Sequence, residues 1–512
     1  MSDSTAFADI GAGPLRLADI AALEGPVTGL RLDGGARARM QASVDTVRDV
    51  VETGRVSYGI NTGFGAFANR RISAEQVRRL QYNLVRSHAC GTGDPLPPEV
   101  VRRVLLLKAN SLARGHSGIR AEVVDALLAL LEADVLPVIP SRGSVGASGD
   151  LAPLAHLALA LIGEGEARRG DECLQGPAVM AAAGLGAVEL EAKEGLALLN
   201  GTQVSTALAI EGWRLAGRLL GTSVTAGAMS VEGLAGSHAP FDARIHEARG
   251  LAGQAEVASR FRALLTASEI HASHVDCDRV QDPYAVRCMP QVLGAVADTL
   301  AHAGNILQAE ANGVSDNPLI FDGDVLSGGN FHAEPVAFVS DFMAIAVAEL
   351  GSISERRTDL LVRRVNPNLN MFLTTEPGVE SGYMIAHVTA AALASENKAL
   401  AHPASVDSIP TSAGQEDHVS MAPWAGLKLL SACGNTARVL AVELLAAARA
   451  IDDQRPLRTT PGLEIAHARL RETAPLVRGD HRLDRAIDGL SAMVVRGAFD
   501  DREIAPPGPA AG

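Results

Sequence analysis

Three consecutive residues, Ala147, Ser148 and Gly149, have the composition needed to build an electrophile from the chain itself. If the Gly149 amide nitrogen attacks the Ala147 carbonyl carbon, a five-membered ring closes. Loss of that carbonyl oxygen and of the Ser148 hydroxyl as two water molecules then leaves an exocyclic methylidene group. Glycine suits the attacking position because it has no Cβ to block the compressed approach. The small alanine leaves its carbonyl uncrowded.

The tripeptide lies in a glycine-rich turn, residues 143–149, that leads directly into an apolar segment. Such a turn alone is most often a tight turn with a helix cap, and it could also bind an anion at the helix N-terminus. No Gly-Lys-Ser/Thr follows the glycines and no clear strand precedes them, so the phosphate-loop and dinucleotide-binding patterns are absent. The N-terminal end of the following helix favours negative charge that develops on an electrophile.

Further polar motifs separate the apolar segments along the chain. They are Tyr58–Gly65, Ser87–His88, Asn200–Thr202, Gln281–Arg287, Gly329–Glu334 and Gln415–His418. Together with the tripeptide they occur in the order typical of the aromatic amino acid lyase family, which the chain resembles from about residue 10 to about residue 500. Because the motifs are spread over nearly the whole chain, a chance match is a poor explanation.

The resemblance implies an enzyme that eliminates ammonia from L-histidine and gives trans-urocanate. Its electrophile is expected to be a 4-methylidene-imidazol-5-one (MIO) group formed from Ala147, Ser148 and Gly149, with no external cofactor. Capture of the substrate amine improves a poor leaving group, after which a base removes the β-proton. The rival pyridoxal route needs a Schiff-base lysine, and none of the four lysines falls in the motifs.

The resemblance also assigns roles to individual residues. Tyr58 is expected to be the base, on a loop over the site, although a phenol with a pKa of about 10 needs nearby positive charge or donors to act near neutrality. Arg287 is expected to clamp the substrate carboxylate through its planar guanidinium. The remaining positions are expected to hold the carboxylate or the electrophile's ring oxygen, or to pack beside the ring: Asn200, Gln281, Tyr284, Asn330 and Phe331.

His88 and Glu416 are the residues expected to select the substrate. In the family they stand where relatives that prefer phenylalanine or tyrosine carry other side chains. A carboxylate and an imidazole are suitable partners for the ring nitrogens of histidine, whereas a buried Glu opposite a phenyl ring is unpaired and costly. Two nearby departures from the family pattern bear on this preference: Met289 stands in place of Gln, and Gly414 in place of Asn.

The elements that must position these residues are predicted to be helices, because aromatic residues make up only 3% of the chain and Ala, Leu, Glu and Arg recur at helical spacing. Predicted helices are Ala36–Glu52, Ala74–Ser87, Glu99–Ala113, Ile119–Ala133, Gly201–Met229, Gln291–Asn312, Pro335–Glu355, Tyr383–Ala401, Val419–Ile451, Ile465–Thr473 and Leu483–Arg496. The predicted class is all-α, and the longest helices are expected to form a bundle.

The resemblance adds a domain plan to this helical pattern. An N-terminal domain over residues 1–200 is expected to carry the electrophile, and residues 201–504 are expected to form the central and C-terminal bundle of a fumarase/aspartase-like lyase. Residues 505–512 contain only Pro, Gly and Ala and are expected to be a flexible tail. The family further implies a homotetramer whose sites are shared between subunits.

Composition limits the partners and the compartment. The net charge of −14 argues against nucleic acid and anionic lipid as partners. No secretory signal is visible at the N-terminus, and no uncharged apolar run is long enough for a membrane span. Five cysteines without a CxxC pair suit a reducing cytoplasm. The fourteen histidines show no convincing ligand spacing, so no metal centre is predicted.

Two alternatives to a histidine-specific lyase stay open. The first is an MIO-dependent ammonia-lyase or 2,3-aminomutase that acts on another aromatic amino acid; substrate kinetics and the position of the product amine distinguish it. The second is a helical interaction protein with a dead site, which an uncyclised tripeptide and absence of turnover would indicate. The complete set of polar site residues favours an enzyme.

Overall fold

The computed structural model of the chain describes residues 7–63, 67, 69–275 and 279–504. Phe64 and Gly65, at the end of the Tyr58 motif, lie outside the described residues, as do Cys277 and the predicted flexible tail, residues 505–512. The described residues form mostly helices, so the predicted all-α class is confirmed.

The helices fall into shorter elements and a few very long ones. From the N-terminus they are α1 (Leu17–Ala21), α2 (Gly34–Thr53), α3 (Ala74–His88), α4 (Pro98–Leu112), α5 (Ala121–Glu132), α6 (Leu151–Leu161), α7 (Pro177–Ala182), α8 (Glu194–Leu199) and α9 (Gln203–Gly233). They continue with α10 (Ala243–Arg249), α11 (Ala252–Leu264), α12 (Glu269–Ala272), α13 (Tyr284–Arg287), α14 (Met289–Glu310), α15 (Glu334–Val362), α16 (Met384–Leu400), α17 (Ala422–Asp452), α18 (Pro461–Thr473), α19 (Asp484–Val495) and α20 (Asp501–Ile504).

Short strands occur only as small ribbons beside the helices in the described chain. They are β1 (Asp9–Ile10), β2 (Arg31–Leu32), β3 (Thr92–Pro95), β4 (Leu136–Pro137), β5 (Pro140–Arg142), β6 (Glu166–Arg169), β7 (Glu172–Gln175), β8 (Leu319–Phe321) and β9 (Asp324–Leu326). Strand β1 pairs in parallel with β2, whereas the pairs β3–β5, β4–β6, β6–β7 and β8–β9 are antiparallel. Each ribbon is too short to form a core of its own.

Contacts divide the described residues into two compact units. The first contains the residues up to Glu211 together with Gly304–Ser340 and Pro403–Leu427. The second contains Gly212–Ala303, Asp341–His402 and the residues from Lys428 onward. The units interleave along the chain, whereas the predicted division near residue 200 is a single cut, and that division stays a prediction.

The first unit positions the tripeptide through a very apolar helix, α6, which packs against α3 and α8. Its side chains Leu154, Leu157 and Leu161 are fully buried. Leu151, His156 and Leu159 are half-buried and no residue of this helix is exposed, so burial fixes the position at which α6 begins. The start of α6 follows directly after Gly149 and Asp150, which places the tripeptide at a rigid helix N-terminus.

The second unit is held by a buried polar cluster around Glu443 of α17. Its carboxylate receives hydrogen bonds from Arg357 Nε at 2.5 Å, from Ser354 Oγ at 2.6 Å and from Ser230 Oγ at 2.7 Å. Glu443 and Arg357 are fully buried. A buried ion pair that lost one partner would leave an uncompensated charge, so this cluster fixes the register of three long helices. Met289, one departure from the family pattern, is also buried in this unit.

Helices α15 and α17 are long and apolar enough to cross a membrane by length and composition alone. In α15, 67% of the most apolar window is buried inside the protein, and in α17 the buried share is 78%. Burial of this extent is typical of the central helices of a bundle.

Candidate active site

The tripeptide is held against the segment Asn200–Thr202, which follows α8. Gly149 forms an isolated parallel bridge with Gly201, and the Asp150 backbone N–H donates to the Gly201 carbonyl oxygen at 2.7 Å. Gly149 has a φ of +70°, and a Cβ built on it would lie 2.1 Å from the Gly201 oxygen. Only glycine is compatible with both the conformation and the contact.

The other side of the turn is held by residues that precede α17. The Met421 backbone N–H donates to the Val145 carbonyl at 2.8 Å, and the Ser420 hydroxyl donates to the Gly146 carbonyl at 3.0 Å. A Cβ on Gly146, whose φ is +68°, would lie 2.2 Å from Ser420 Oγ. The turn is therefore compressed between two distant segments of the chain.

Asp150 is a fully buried carboxylic acid at the N-cap of α6. It accepts hydrogen bonds from the Ser205 backbone N–H and hydroxyl, both at 2.7 Å, and from the Ser144 hydroxyl at 3.3 Å. Burial raises the pKa of Asp150, and the bonds from Ser205 and Ser144 act in the opposite direction. This acid joins the turn to α9, on the far side of the Gly149–Gly201 bridge.

The Ser148 hydroxyl donates to Glu416 Oε1 at 3.0 Å. The other carboxylate oxygen of Glu416 accepts from the Thr411 hydroxyl at 2.8 Å. Between Thr411 and Glu416, the short turn Ser412–Gly414 has left-handed backbone, and Gly414 has a φ of +83°. Glycine and asparagine both tolerate this region readily, so Gly414 in place of the expected Asn suits the turn. The structure thus brings Glu416 to the hydroxyl of the tripeptide's central residue.

His88 is the last residue of α3, and its ring is oriented by its own helix. Nδ1 lies 2.8 Å from the Leu84 carbonyl oxygen and 3.1 Å from Ser87 Oγ. A proton on Nδ1 is assigned by the bond to the carbonyl, which leaves Nε2 as an acceptor. Burial lowers the pKa of His88, opposed by the Leu84 bond and by the negative charge of Glu416. The neutral imidazole of His88 and the carboxylate of Glu416 are therefore close enough to influence each other electrostatically.

Asn200 caps α8 and presents an incompletely satisfied amide. The side-chain Nδ2 donates to the Asn317 carbonyl at 3.0 Å, and the backbone carbonyl of Asn200 accepts from the Lys108 ammonium at 2.6 Å. Among the described residues, its buried Oδ1 has no hydrogen-bond partner. An orphaned buried oxygen beside the Gly149–Gly201 bridge is a place where a further polar group fits.

Tyr58 lies half-buried in a turn that packs on the same region. Gly59 has a φ of +76°, and a Cβ there would lie 2.7 Å from Pro318 Cδ and 2.8 Å from Leu196 Cδ2. Pro318 follows Asn317, whose carbonyl accepts from the Asn200 amide, so the segment Asn317–Pro318 contacts both the turn and Asn200. The Asn61 amide fixes the turn through bonds with the Ser57 N–H at 2.9 Å and the Arg55 carbonyl at 2.8 Å.

Asn330 and Phe331 precede α15 in the first unit. Asn330 is exposed, and its Nδ2 donates to the Val314 carbonyl at 3.2 Å, while Phe331 is half-buried. Gln281, Tyr284 and Arg287 form a separate group in the second unit. There the Arg287 guanidinium lies 4.5 Å from the centre of the Tyr284 ring, and its Nε donates to the Asp282 carbonyl at 3.0 Å.

Comparison with known proteins decides the family. The family model for aromatic amino acid lyases matches residues 15–472. A histidine ammonia-lyase of Paracidovorax citrulli is 54% identical over 480 residues, 93% of this chain and 94% of the relative. The chain belongs to the aromatic amino acid lyase family. The resemblance inferred from the motifs is thereby confirmed.

Solved structures of aromatic amino acid lyases and related enzymes share the fold. The histidine ammonia-lyase of Trypanosoma cruzi superposes with a TM-score of 0.89 at 40% identity, covering 98% of this chain and 96% of that one. The tyrosine aminomutase of Streptomyces globisporus gives a TM-score of 0.92 at 32% identity, covering 98% and 99%. One architecture therefore supports more than one reaction of this family, and the site residues must decide between them.

Sequence reasoning missed several residues of this lyase that support the tripeptide. Lys108 is fully buried in α4, and burial lowers the pKa of its ammonium group to about 7. Lys193 is equally buried and pairs with Asp316 at 2.8 Å. A lysine inside the apolar run of α4 is a signal that the sequence does contain, since a buried lysine requires partners. Nothing in the sequence around Asp150 indicates its hydrogen bonds to Ser205, which is 55 residues away.

Three further side chains come together although no metal site was predicted. His332, Glu334 and His418 each offer a ligand atom, and these atoms lie within 4.8 Å of one another. The sequence separates the His-x-Glu pair from His418 by most of α15, the whole of α16 and the following loops. Spacing along the chain could not reveal this cluster.

Proposed function

We propose that this lyase is a histidine ammonia-lyase, which eliminates ammonia from L-histidine to give trans-urocanate. The observation that carries the proposal is the compression of Ala147-Ser148-Gly149 against Gly201, with the Ser148 hydroxyl on Glu416. Curated relatives with that name, at 50% to 54% identity over 92% to 96% of this chain, support the choice of substrate.

The tripeptide fits the MIO group expected for the family. Ring closure joins the Gly149 nitrogen to the Ala147 carbonyl carbon, and the carbonyl oxygen leaves as one water with the amide hydrogens of Gly149 and Ser148. The Ser148 hydroxyl leaves with the Ser148 α-hydrogen as a second water. The Gly149–Gly201 contact leaves no space for a Cβ on the attacking residue. The buried Asn200 Oδ1, with no partner among the described residues, is an acceptor beside the tripeptide to which the substrate amine would donate.

The MIO group would supply an electrophile for the substrate amine, and this chain's residues must do the rest. Asn200 and the bridge between Gly149 and Gly201 would hold it. The N-terminal end of α6 favours negative charge beside it. The buried Asp150 fixes the helix start through its bonds to Ser205. The electrophile is thus positioned by rigid elements, as catalytic groups require.

His88 and Glu416 would bind the substrate imidazole. His88 Nε2 is an acceptor for a ring N–H, since Nδ1 is committed to the Leu84 carbonyl. Glu416 would accept from the other ring nitrogen when the substrate imidazole is protonated, since a neutral imidazole has only one N–H. A phenyl or phenol ring would leave this carboxylate unpaired in a half-buried site. The pair therefore favours histidine over phenylalanine or tyrosine.

Tyr58 is proposed as the base that removes the β-proton, held by a turn that shares its support with Asn200. Arg287 and Tyr284 stack on each other and would hold the substrate carboxylate. The substrate-binding set is completed by Gln281, Asn330 and Phe331. A positioned base and a carboxylate clamp would together hold the substrate in a reactive orientation.

Replacement of Glu416 by glutamine tests the substrate assignment. The variant preserves shape and removes the charge, so kcat/KM for histidine is expected to fall at least about a hundredfold. Production of urocanate is followed by its ultraviolet absorption. Intact mass shows whether the tripeptide has still cyclised, which separates substrate binding from formation of the electrophile.

Asp417→Asn is the matched control for this experiment, because Asp417 is an exposed neighbour of Glu416 on the same loop. It should retain wild-type turnover. A Glu416→Gln variant that has cyclised and matches wild type on histidine contradicts the assignment of Glu416 to the ring. Preferred turnover of phenylalanine or tyrosine, or a β-amino acid product, would instead identify another lyase or an aminomutase; uncyclised, inactive wild-type protein would identify a dead site.

The enzyme is further proposed to be a cytoplasmic homotetramer whose sites are shared between subunits. Phe338, Phe342 and Ile345 lie at helical spacing on α15 and are 46%, 43% and 48% exposed. An exposed apolar stripe on a long helix is typical of a surface covered by assembly. Shared sites would also let the exposed group of Gln281 and Tyr284 serve a neighbouring copy.

Ile345→Glu is expected to break the assembly into smaller species and to reduce activity, because it buries a charge in an apolar interface. Sedimentation velocity reports the mass against four copies of the 53.1 kDa chain. Ile245→Glu is the control, since Ile245 lies on α10 and is similarly exposed, at 47%. A wild-type monomer with full activity at low concentration would disprove the proposed tetramer.

A further inference from the structure

His332, Glu334 and His418 form a cluster that the proposed reaction does not use. Their ligand atoms lie within 4.8 Å of one another, and the two imidazole rings are nearly parallel, 5.6 Å apart with an interplanar angle of 11°. His332 precedes α15, Glu334 is its first residue, and His418 follows Glu416 on the loop before α17. The cluster therefore joins two segments of the first unit.

Each histidine is oriented by a hydrogen bond through one ring nitrogen. His332 Nε2 lies 3.2 Å from the His418 carbonyl oxygen, and His418 Nδ1 lies 3.3 Å from Ser408 Oγ. Since a carbonyl oxygen only accepts, its contact with Nε2 leaves the lone pair of His332 on Nδ1, whereas the contact with the Ser408 hydroxyl orients the ring of His418. Metal-ligating histidines are held in the same way, by a bond from the nitrogen that does not face the ion.

The donor set is specific about the class of ion. Two imidazoles and one carboxylate are the protein ligands of many zinc sites that keep a fourth position open. Mg²⁺ and Ca²⁺ prefer oxygen ligands and would gain little from two imidazoles. Ligand atoms in a tetrahedral zinc site lie roughly 3.3 Å apart. His332 and Glu334 are half-buried and His418 is exposed, so rotation of the side chains can close the remaining gap.

We propose that His332, Glu334 and His418 bind one Zn²⁺ ion, which ties the start of α15 to the loop that carries Glu416. Asn330 and Phe331 immediately precede this site on one segment, and Glu416 precedes His418 on the other. Bound zinc would restrain both segments. The site goes beyond the proposed lyase activity and does not depend on it, because ion binding can be measured without turnover.

Isothermal titration calorimetry of chelator-treated full-length protein with Zn²⁺ alone tests the site. One ion per chain is expected for the wild type. His332→Gln and His418→Gln should each weaken binding at least about a hundredfold, and Glu334→Gln at least about tenfold. His481→Gln is the control, since His481 is bonded within its own loop to the Gly479 carbonyl, and it should bind as the wild type does.

A second readout is the thermal unfolding midpoint followed by circular dichroism. Zn²⁺ should raise it for the wild type and for His481→Gln but not for His332→Gln or His418→Gln, because an ion that binds only the folded state stabilises it. Mg²⁺ should leave it unchanged. The inference is overturned if the wild type shows no saturable Zn²⁺ binding, or if His332→Gln and His418→Gln both retain it. If His332→Gln does not fold, the His418→Gln variant decides the test, because His418 is exposed and its replacement perturbs no core.

Discussion

Ser148→Ala is expected to lower turnover of histidine by several powers of ten, because alanine has no hydroxyl to eliminate and the methylidene cannot form. The wild-type chain should weigh two water molecules less than its sequence implies, apart from processing at the termini. Intact-mass spectrometry measures this difference, and peptide mapping should place it on residues 147–149. Near-ultraviolet absorption should accompany the loss in the wild type and be absent from the variant.

The Ser148 variant has a close control in Ser141→Ala, on β5 at the approach to the turn. This variant should keep the two-water loss and most of the activity. Ser148→Cys is less decisive, since a thiol can also be eliminated. An active wild-type protein with the uncyclised mass, or near-normal activity in Ser148→Ala, contradicts the covalent chemistry; insensitivity of the wild type to borohydride argues in the same direction.

The starts of α2 and α4 coincide with local signals in the sequence. Asp33 caps α2 by accepting from the Ala36 N–H at 3.0 Å, and Pro98 occupies the first turn of α4, so both starts lie within two residues of their predicted positions. Such local signals depend only on neighbours in the chain. Such helix starts can therefore be predicted from the sequence before any tertiary contact is known.

Helix α15 shows why other boundaries could not be predicted. Its predicted end is Glu355, yet the helix continues to Val362. Arg357 is fully buried against Glu443. Nothing near Arg357 in sequence reveals this partner. The prediction of the end was wrong because a tertiary ion pair outweighs local polarity.

One part of the candidate site could be predicted because it depends only on neighbouring residues. Ala147-Ser148-Gly149 is a chemical unit within the sequence, so its potential chemistry could be derived from residue types alone. The contact of Gly149 with Gly201, the donation from Ser148 to Glu416 and the position of Lys108 all join distant segments. Tertiary packing creates these contacts, and the local sequence around each residue does not reveal its partner.

Gly149→Ala is expected to be almost as damaging as Ser148→Ala, although the added methyl group is chemically inert. The Gly149 backbone has a φ of +70°, and the new Cβ would lie 2.1 Å from the Gly201 oxygen and 2.4 Å from its carbonyl carbon. Both atoms belong to the backbone and cannot rotate away. The turn would have to move off the Asn200–Thr202 segment, so cyclisation should fail and the two-water mass loss should disappear.

The control that isolates the contact is Gly54→Ala. Gly54 has a similar φ, +66°, but a Cβ there meets no atom within 4 Å. Alanine at either position carries the left-handed backbone penalty of roughly 1–2 kcal/mol, whereas only Gly149→Ala adds the collision. Gly54→Ala should therefore keep the mass loss and the activity with a modest decrease in unfolding free energy. If Gly149→Ala still loses two water molecules and turns over histidine, compression against Gly201 is not what drives ring closure.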